Sequence, residues 1–304
     1  MTIYGKTKQS LQTHKLAPKK RFGQNFLVHR KTAEAIVQAG GVCKEDMIVE
    51  VGVGLGALTI PLAEAAGHVF GLEIDSGIIR FHQEEQDLPA NVTLMHEDVL
   101  KTDFNVLAGQ CGGPLKIMAN LPYSISNPFL FKLIENHEQV AWATIMLQKE
   151  VAQRLMAQPG TKEYGVPTVM LQSCATVKPL MTLKPGEFHP RPKIDSVVVR
   201  IDFSADTERI RQLPAYNQKI FRHIVRAAFG QRRKTLLNTL CSAELFDSLP
   251  EISKAEGKEL TGKVINAAGI SPGIRAENLV LEDFVRLAIE TSLQIDSLQS
   301  ALLP

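Results

Sequence analysis

The residues best suited to chemistry lie where four short apolar segments end. They are the glycine-rich turn Glu-Val-Gly-Val-Gly-Leu-Gly (50–56), Glu73, the pair Glu97-Asp98, and the turn Asn-Leu-Pro-Tyr (120–123). Alternating glycines let the main chain approach a ligand closely, and the acids and the amide can bind hydroxyl and amino groups. These residues form one site only if the fold brings the four segment ends together.

A parallel sheet would bring them together. From about residue 30 to 200, strand-like apolar runs alternate with helical patterns, which predicts β-α-β units. The predicted strands are MIVEVG (47–52), HVFGLEID (68–75), VTLMHED (92–98), LKIMAN (115–120), WATIML (142–147) and VVVRIDF (197–203). We therefore expect a Rossmann-like α/β fold, with a mostly parallel sheet, helices on both faces, and a ligand at the carboxyl ends of the strands.

The pattern becomes purely helical after about residue 205. The predicted helices there are 219–229, 234–240 and 281–291, and the first has a stripe of apolar residues that we expect to be buried: Phe221, Ile224, Val225 and Ala228. The chain is thus predicted to comprise a flexible basic tail (1–17), an α/β domain (18–204) and a smaller all-helical C-terminal domain (205–304).

The strand-end residues fit S-adenosylmethionine better than a dinucleotide. Glu73 lies about 20 residues beyond Gly52, a spacing at which an acid binds both ribose hydroxyls. Asp98 suits the amino group of adenine. The glycines alternate instead of following the dinucleotide pattern G-x-G-x-x-G. Each acid alone is also typical of an ordinary strand end, but the four ends together predict a pocket for adenosine with a carboxylate-bearing tail.

The Asn-Leu-Pro-Tyr turn suits methyl transfer to the exocyclic amine of adenine. Transfer to cytosine C5 needs a cysteine nucleophile, usually after a proline, and no cysteine here follows a proline. The Asn120 side-chain oxygen and a main-chain carbonyl fixed by Pro122 can accept the two N–H bonds of the amine, which orients its lone pair. Tyr123 can stack on the base, a contact worth roughly 1–3 kcal/mol.

The net charge of +2 conceals an uneven distribution. Residues 1–33 contain eight Lys or Arg and no acid, and residues 209–243 also contain eight and no acid. Two basic segments on an otherwise acidic chain predict a polyanionic partner, although charged runs also occur on ordinary solvated surfaces. Scattered cysteines and the lack of any long apolar run predict a cytoplasmic protein without a metal site or membrane span.

The ordered motifs of the chain resemble those of the bacterial ribosomal RNA small-subunit adenine N6,N6-dimethyltransferases. The likeness covers nearly the whole chain and rests on FGQNFL (22–27), EVGVGLG (50–56), Glu73, Asp98, NLPY (120–123), FHPRPKIDS (188–196) and FGQRRK (229–234). In this chain Ile194 stands where the family more often has valine. The resemblance implies methylation of two adjacent adenosines in the terminal hairpin of small-subunit ribosomal RNA, within an immature 30S-type subunit and by a monomeric protein.

The resemblance also implies a role for each matching residue. The cofactor-binding residues would be Gln24, Asn25, Leu27, Glu50, Gly52, Gly54, Glu73, Asp98, Val99 and Asn120. The catalytic residues would be Asn120, Leu121, Pro122, Tyr123 and Phe188, with Phe188 packing on the base opposite Tyr123. The RNA-binding residues would be Lys19, Lys20, Arg21, Arg222, Arg226, Arg232, Arg233 and Lys234. Residues 18–204 would then form the S-adenosylmethionine-dependent methyltransferase domain, and 205–304 the RNA-binding domain.

Two alternatives remain open at this point. One is the related methylase that modifies a single large-subunit adenosine, against which the Leu in the Asn-Leu-Pro-Tyr turn and the long helical segment argue. The other is a non-catalytic RNA-binding assembly or transcription factor, against which the intact Gly52, Glu73, Asp98, Asn120 and Tyr123 argue.

Overall fold

The computed structural model describes residues 25–204, 208–243, 245–246 and 253–302. Contacts divide the chain into two compact units. The first comprises the residues up to 152 together with 175–205, and the second comprises 153–174 and the residues from 206 onward.

The first unit is built on a seven-stranded sheet. The strands in chain order are β1 (Phe26–Leu27), β2 (Met47–Val51), β3 (His68–Glu73), β4 (Val92–His96), β5 (Leu115–Ala119), β6 (Val140–Gln148), β7 (Thr176–Leu183), β8 (Phe188–His189) and β9 (Ser196–Asp202). The order across the sheet is β4-β3-β2-β5-β6-β9-β7, and β1 and β8 form a separate antiparallel pair.

The sheet changes direction of winding between β2 and β5. Strand β2 pairs in parallel with β3 on one side and with β5 on the other, and β4 and β6 continue the parallel pairing outward. Within this described sheet β9 alone runs against the other strands, so its pairs with β6 and β7 are antiparallel. The carboxyl ends of β2 and β5 therefore flank the crevice in which open α/β sheets bind ligands.

Short helices connect the strands of the first unit. They are α1 (Arg30–Gly40), α2 (Thr59–Ala65), α3 (Ser76–Glu85), α4 (Phe104–Gln110) and α5 (Ser126–Glu135), and α6 (Lys149–Leu155) contains the unit boundary. Two of them begin at aspartate caps: Asp75 accepts a hydrogen bond from the Gly77 amide at 2.9 Å, and Asp103 accepts one from the Asn105 amide at 2.8 Å. Such caps satisfy amides that a helix start leaves unpaired.

The second unit is helical throughout its described residues. Its helices are α7 (Val166–Gln172), α8 (Glu208–Arg211), α9 (Gln218–Phe229), α10 (Leu236–Cys241), α11 (Lys254–Ala267) and α12 (Leu281–Leu302). The predicted stripe on α9 is confirmed, since Phe221, Ile224 and Val225 are fully buried and Ala228 is 2% exposed.

The segment 153–174 belongs to this helical unit by its contacts, whereas the sequence-based division includes it in the α/β domain. The Tyr164 ring packs edge-on against Phe229 at 5.9 Å, and the Gly160 amide donates to the Glu277 carbonyl at 2.7 Å. Local periodicity carries no information about such long-range contacts. The division of the chain into a domain 18–204 and a domain 205–304 stays a prediction.

The predicted fold class is confirmed, because the sheet is mostly parallel, helices connect its strands and the C-terminal region is helical. Every predicted strand corresponds to one of β2–β6 or β9. The prediction has no counterpart for β1, β7, β8 or α11. The predicted helix 234–240 begins two residues later than expected, since Thr235 adopts an extended conformation at its N-cap.

Candidate active site

A cavity opens at the carboxyl ends of β2, β3, β4 and β5. Its wall contains eight of the nine predicted cofactor residues that the structure describes, and the exception is Glu50. These eight are Asn25, Leu27, Gly52, Gly54, Glu73, Asp98, Val99 and Asn120. Residues far apart in the sequence meet here because parallel strands present their carboxyl ends on the same edge of the sheet.

The glycine turn after β2 has a conformation that depends on glycine. Gly52 and Gly54 have φ angles of 82° and 55°, in the left-handed region that side chains disfavour. A Cβ placed on Gly54 would lie 3.1 Å from the Phe26 ring, and one on Gly52 would lie 3.3 Å from the Asn120 carbonyl oxygen. The turn thus keeps a concave main-chain surface that a ligand can contact and that side chains would fill.

Glu73 lies at the end of β3 with its carboxylate held in place. One oxygen accepts a hydrogen bond from the Gly54 amide at 3.0 Å, and the other accepts one from the Asp75 amide at 2.8 Å. The side chain is only 4% exposed, and burial raises the pKa of this carboxyl group, although the two amides oppose the rise. Each oxygen keeps a lone pair for a further donor such as a ribose hydroxyl.

Glu50 lies beneath the cavity and does not line it. It is fully buried, and within the described residues neither of its carboxylate oxygens has a hydrogen-bond partner of standard geometry. Burial raises the pKa of Glu50 to about 8; the Thr59 hydroxyl beside it opposes the rise and the charge of Glu73 adds to it. In this structure Glu50 therefore does not reach the cavity in which a cofactor would bind.

Asp98 and Val99 follow β4, the strand that pairs with β3, and both line the cavity. One Asp98 oxygen accepts a hydrogen bond from the Leu100 amide at 3.0 Å, which orients the carboxylate in its turn. Val99 is 5% exposed and supplies an apolar surface beside it. A planar base with an amino edge fits this pairing of an apolar face with an acceptor.

The Asn-Leu-Pro-Tyr turn follows β5 directly. The Asn120 amide nitrogen donates to the Asn25 carbonyl at 3.1 Å, so the side-chain oxygen is the end left to accept an N–H from a substrate. The Pro122 carbonyl accepts the Ile125 amide at 3.1 Å, which fixes its direction and leaves a second lone pair. Asn120, Leu121 and Pro122 all line the cavity.

Tyr123 and Phe188 do not line the cavity, in contrast to the rest of the turn. The Tyr123 hydroxyl bonds to the Ser196 hydroxyl at 2.7 Å, and burial raises the pKa of this phenol. Phe188 is 2% exposed within the apolar core of the first unit, where its strand pairs with Leu27. In this structure the Phe188 ring lies in the core and does not reach the cavity, so its expected packing on a base opposite Tyr123 stays a prediction.

The predicted RNA-binding residues of the second unit differ in their surroundings. Arg232 donates to the Lys162 carbonyl at 2.6 Å and lies 3.7 Å from a Glu277 oxygen. Arg226, Arg233 and Lys234 are exposed and Arg222 is half-buried. The predicted helix 234–240 would begin at Lys234, but α10 begins at Leu236, so Arg232, Arg233 and Lys234 lie in the turn before this helix.

Four predicted residues lie outside the part of the chain that the structure describes. They are Lys19, Lys20, Arg21 and Gln24. Conversely, the cavity wall includes apolar residues absent from the prediction, namely Val53, Leu55, Ile74, Leu100 and Ile125. Each lies within two residues of a motif position, and Ile74 is 46% exposed between two acids. An isoleucine that directly follows a predicted ligand-binding acid at a strand end is the sequence signal that could have identified Ile74.

Two other classes of site find no support among the described residues. Three or more His, Cys, Asp or Glu side chains do not come together in a way that could hold a metal ion. No helix in the described ranges combines the length and apolar character needed to cross a bilayer.

Comparisons with known proteins place these observations in a family. The family model described as ribosomal RNA adenine dimethylase matches residues 15–255. The chain is 60% identical over 287 residues to "Ribosomal RNA small subunit methyltransferase A" of Desulfotalea psychrophila, covering 94% of this chain and 96% of that relative. It is 40% identical over 288 residues to the protein of the same name from Magnetococcus marinus, covering 95% and 97%.

Solved structures agree with this similarity. A dimethyladenosine transferase from Plasmodium falciparum matches with a TM-score of 0.69 and 26% identity, covering 88% of this chain and 98% of that one. The 23S rRNA methyltransferase ErmE matches with a TM-score of 0.59 at 21% identity over 88% of this chain and 100% of that one, a likeness of fold.

Proposed function

The chain belongs to the ribosomal RNA adenine dimethylase family, and we propose that it dimethylates the N6 amines of two adjacent adenosines in the terminal hairpin of small-subunit ribosomal RNA. The observation that carries the proposal is the Asn-Leu-Pro-Tyr turn, whose oriented amide lines the same cavity as the glycine turn and two strand-end acids.

The described residues fit S-adenosylmethionine as the methyl donor. The left-handed Gly52 and Gly54 keep a cradle that a Cβ would fill, which suits a methionine tail. Glu73 has lone pairs for ribose hydroxyls, and Asp98 beside Val99 suits the adenine ring and its amine. The donor would supply an electrophilic methyl group on sulfonium, while the protein supplies position and electrostatics.

The protein's part in the transfer is to hold the acceptor amine. Asn120 Oδ1 and the Pro122 carbonyl accept hydrogen bonds from the two N–H groups of the amine. These bonds turn the N–H groups out of the plane of the base, so that the nitrogen lone pair points at the donor side of the cavity. The same two oxygens stabilise the positive charge that develops on nitrogen. A strong general base is unnecessary, because the N–H proton becomes acidic once the nitrogen carries four bonds.

The helical unit would recognise the RNA. Arg233 and Lys234 are exposed at the turn after α9, and Arg226 lies exposed on α9 itself. Phosphate contacts of this kind position a nucleic acid without reading its sequence. We propose that the protein acts as a monomer in the cytoplasm on an immature 30S-type subunit, with Tyr123 stacking on the extruded base and Phe188 supporting it from the core.

Incubation with labelled S-adenosylmethionine and separate preparations of undermethylated small subunits and large subunits tests the proposal. We expect label in dimethyladenosine of the small-subunit RNA only. Label confined to large-subunit RNA would assign the single-site activity instead. No transfer to either, despite RNA binding, would indicate a non-catalytic RNA-binding protein.

A further inference from the structure

A buried histidine is hydrogen bonded to the main chain of the glycine turn. His82, on α3, is 3% exposed and does not line the cavity. Its Nε2 lies 2.8 Å from the Gly54 carbonyl oxygen, and its Nδ1 lies 2.6 Å from an Asp87 carboxylate oxygen. The active-site motifs discussed above do not include this residue, and the proposed transfer assigns it no role.

Both ring nitrogens of His82 therefore face acceptors. A main-chain carbonyl can only accept a hydrogen bond, and the same is true of an ionised carboxylate. If both contacts are hydrogen bonds to these acceptors, each ring nitrogen carries a proton and the ring is an imidazolium.

Gly54 is hydrogen bonded on both sides as a result. Its amide donates to Glu73 at 3.0 Å, and its carbonyl accepts from His82 at 2.8 Å. The residue has a φ of 55°, a conformation that leaves the cradle open. The bonds form one chain from Asp87 through His82 and Gly54 to the acid at the end of β3.

We propose that His82 is a positioning residue for S-adenosylmethionine: as a doubly protonated ring it fixes the Gly54 peptide, and through it the Glu73 carboxylate, in the binding geometry. The inference rests on the proposed function, because it assumes that this cavity binds the donor. It concerns the affinity for the donor and not the methyl transfer itself, since His82 contacts neither the Asn-Leu-Pro-Tyr turn nor the cavity.

The first test compares wild type with His82→Gln, and uses His68→Gln as the matched control. The His68 ring lies 2.9 Å from the Thr93 hydroxyl, to which it is hydrogen bonded, and His68 does not line the cavity. Glutamine has both of its N–H donors on one nitrogen and an acceptor oxygen at the other end of its amide, so it cannot replace both ring donors. We therefore expect the Kd and KM for S-adenosylmethionine to rise about tenfold with kcat within about twofold, as for loss of one charge-assisted bond. His68→Gln should leave all three constants unchanged.

A merely structural histidine would give a different split. It would lower the folded, active fraction and hence the apparent kcat, with KM for the donor unchanged, and that result would overturn the inference. Asp87→Asn, at a part-exposed position, provides a second variant should His82→Gln not fold. Asparagine keeps an acceptor but loses the charge, so we expect a rise in KM of about threefold; no rise would also overturn it.

Nitrogen NMR of wild-type protein labelled with ¹⁵N-histidine supplies a readout without activity. We expect the His82 ring to show two protonated nitrogens at neutral pH, and a ring with one bare nitrogen would contradict the proposal. Failure of the wild type to bind S-adenosylmethionine would overturn the proposed function and this inference together. Normal binding by both wild type and His82→Gln would overturn the inference alone.

Discussion

Glu50→Gln should stabilise the first unit at alkaline pH. Glu50 is fully buried and its pKa is raised to about 8, mainly by that burial, whereas in the unfolded chain it has the ordinary value of about 4.5. Between these two values the folded state keeps a proton that the unfolded state has lost. Stability therefore falls as pH rises through this window, by about 1.4 kcal/mol per pH unit.

The magnitude follows from the width of that window. A pKa displaced from 4.5 to about 8 lowers the free energy of unfolding by up to about 5 kcal/mol at pH 8. This value is an upper limit, because water that enters the site would reduce the cost of the buried charge. Glutamine resembles the protonated acid and does not titrate. The variant should match wild type within about 1 kcal/mol at pH 5 and exceed it by about 3–5 kcal/mol at pH 8.5.

Urea unfolding followed by tryptophan fluorescence measures this difference in the right part of the molecule. Trp142 is the only tryptophan in the sequence, lies in β6 of the first unit and is 6% exposed. Glu84→Gln, on the exposed surface of α3, is the control and should leave the pH dependence unchanged. Glu73 retains a raised pKa in every variant, so a smaller decline persists. Parallel curves for wild type and Glu50→Gln would refute the reasoning.

Two further variants test the acceptor side and the RNA side. Ser196→Ala removes the hydroxyl bonded to the tyrosine of the Asn-Leu-Pro-Tyr turn at 2.7 Å and should lower kcat about fivefold, as expected for one lost hydrogen bond. The buried hydroxyl of Ser126, which has no partner in the described residues, provides the control Ser126→Ala, and equal effects would argue against a positioning role. Replacing Arg233 and Lys234 by alanine should flatten the salt dependence of RNA binding by about one slope unit for each lost phosphate contact, measured by titration at several salt concentrations. If the salt dependence of RNA binding has the same slope in this double variant as in Lys263→Ala, Arg233 and Lys234 make no phosphate contacts.

The local sequence was sufficient to predict the strands whose ends form the site. Central parallel strands are buried on both faces, so β2 and β5 are continuous apolar runs that end sharply at chemically distinctive residues. The order of motifs then predicts which ends meet. Eight predicted cofactor residues do come together in one cavity wall, which is a consequence of parallel topology and of right-handed connections.

Physical reasons explain why some helices and strands were not predicted from the sequence. Strand β7 is an edge strand that contains Pro179 and a register shift, so it lacks the alternation of a half-buried strand. The pairing of β1 with β8 involves two residues on each side and joins distant parts of the chain. Helix α11 contains Gly257 and Gly262, although its capping box at Ser253 and Glu256 was a usable start signal.

Motifs alone do not predict how deeply Glu50 and Phe188 are buried. A motif match identifies a residue without its depth, and depth depends on side chains contributed by other elements. Phe188 is 2% exposed because its strand pairs with Leu27 and places the ring in the core. His82 was missed for a related reason, since its partners Gly54 and Asp87 become neighbours only in the folded unit.

Nucleoside mass spectrometry of small-subunit RNA, after reaction with wild type and with Asn120→Ala, tests the central claim most directly. Calorimetry on both proteins shows in parallel whether S-adenosylmethionine still binds. We expect N6,N6-dimethyladenosine with wild type, its absence with Asn120→Ala, and donor binding by both, because the Asn120 oxygen holds the acceptor amine. Dimethyladenosine formed by the variant at the wild-type rate would contradict the assignment of this turn as the site of methyl transfer.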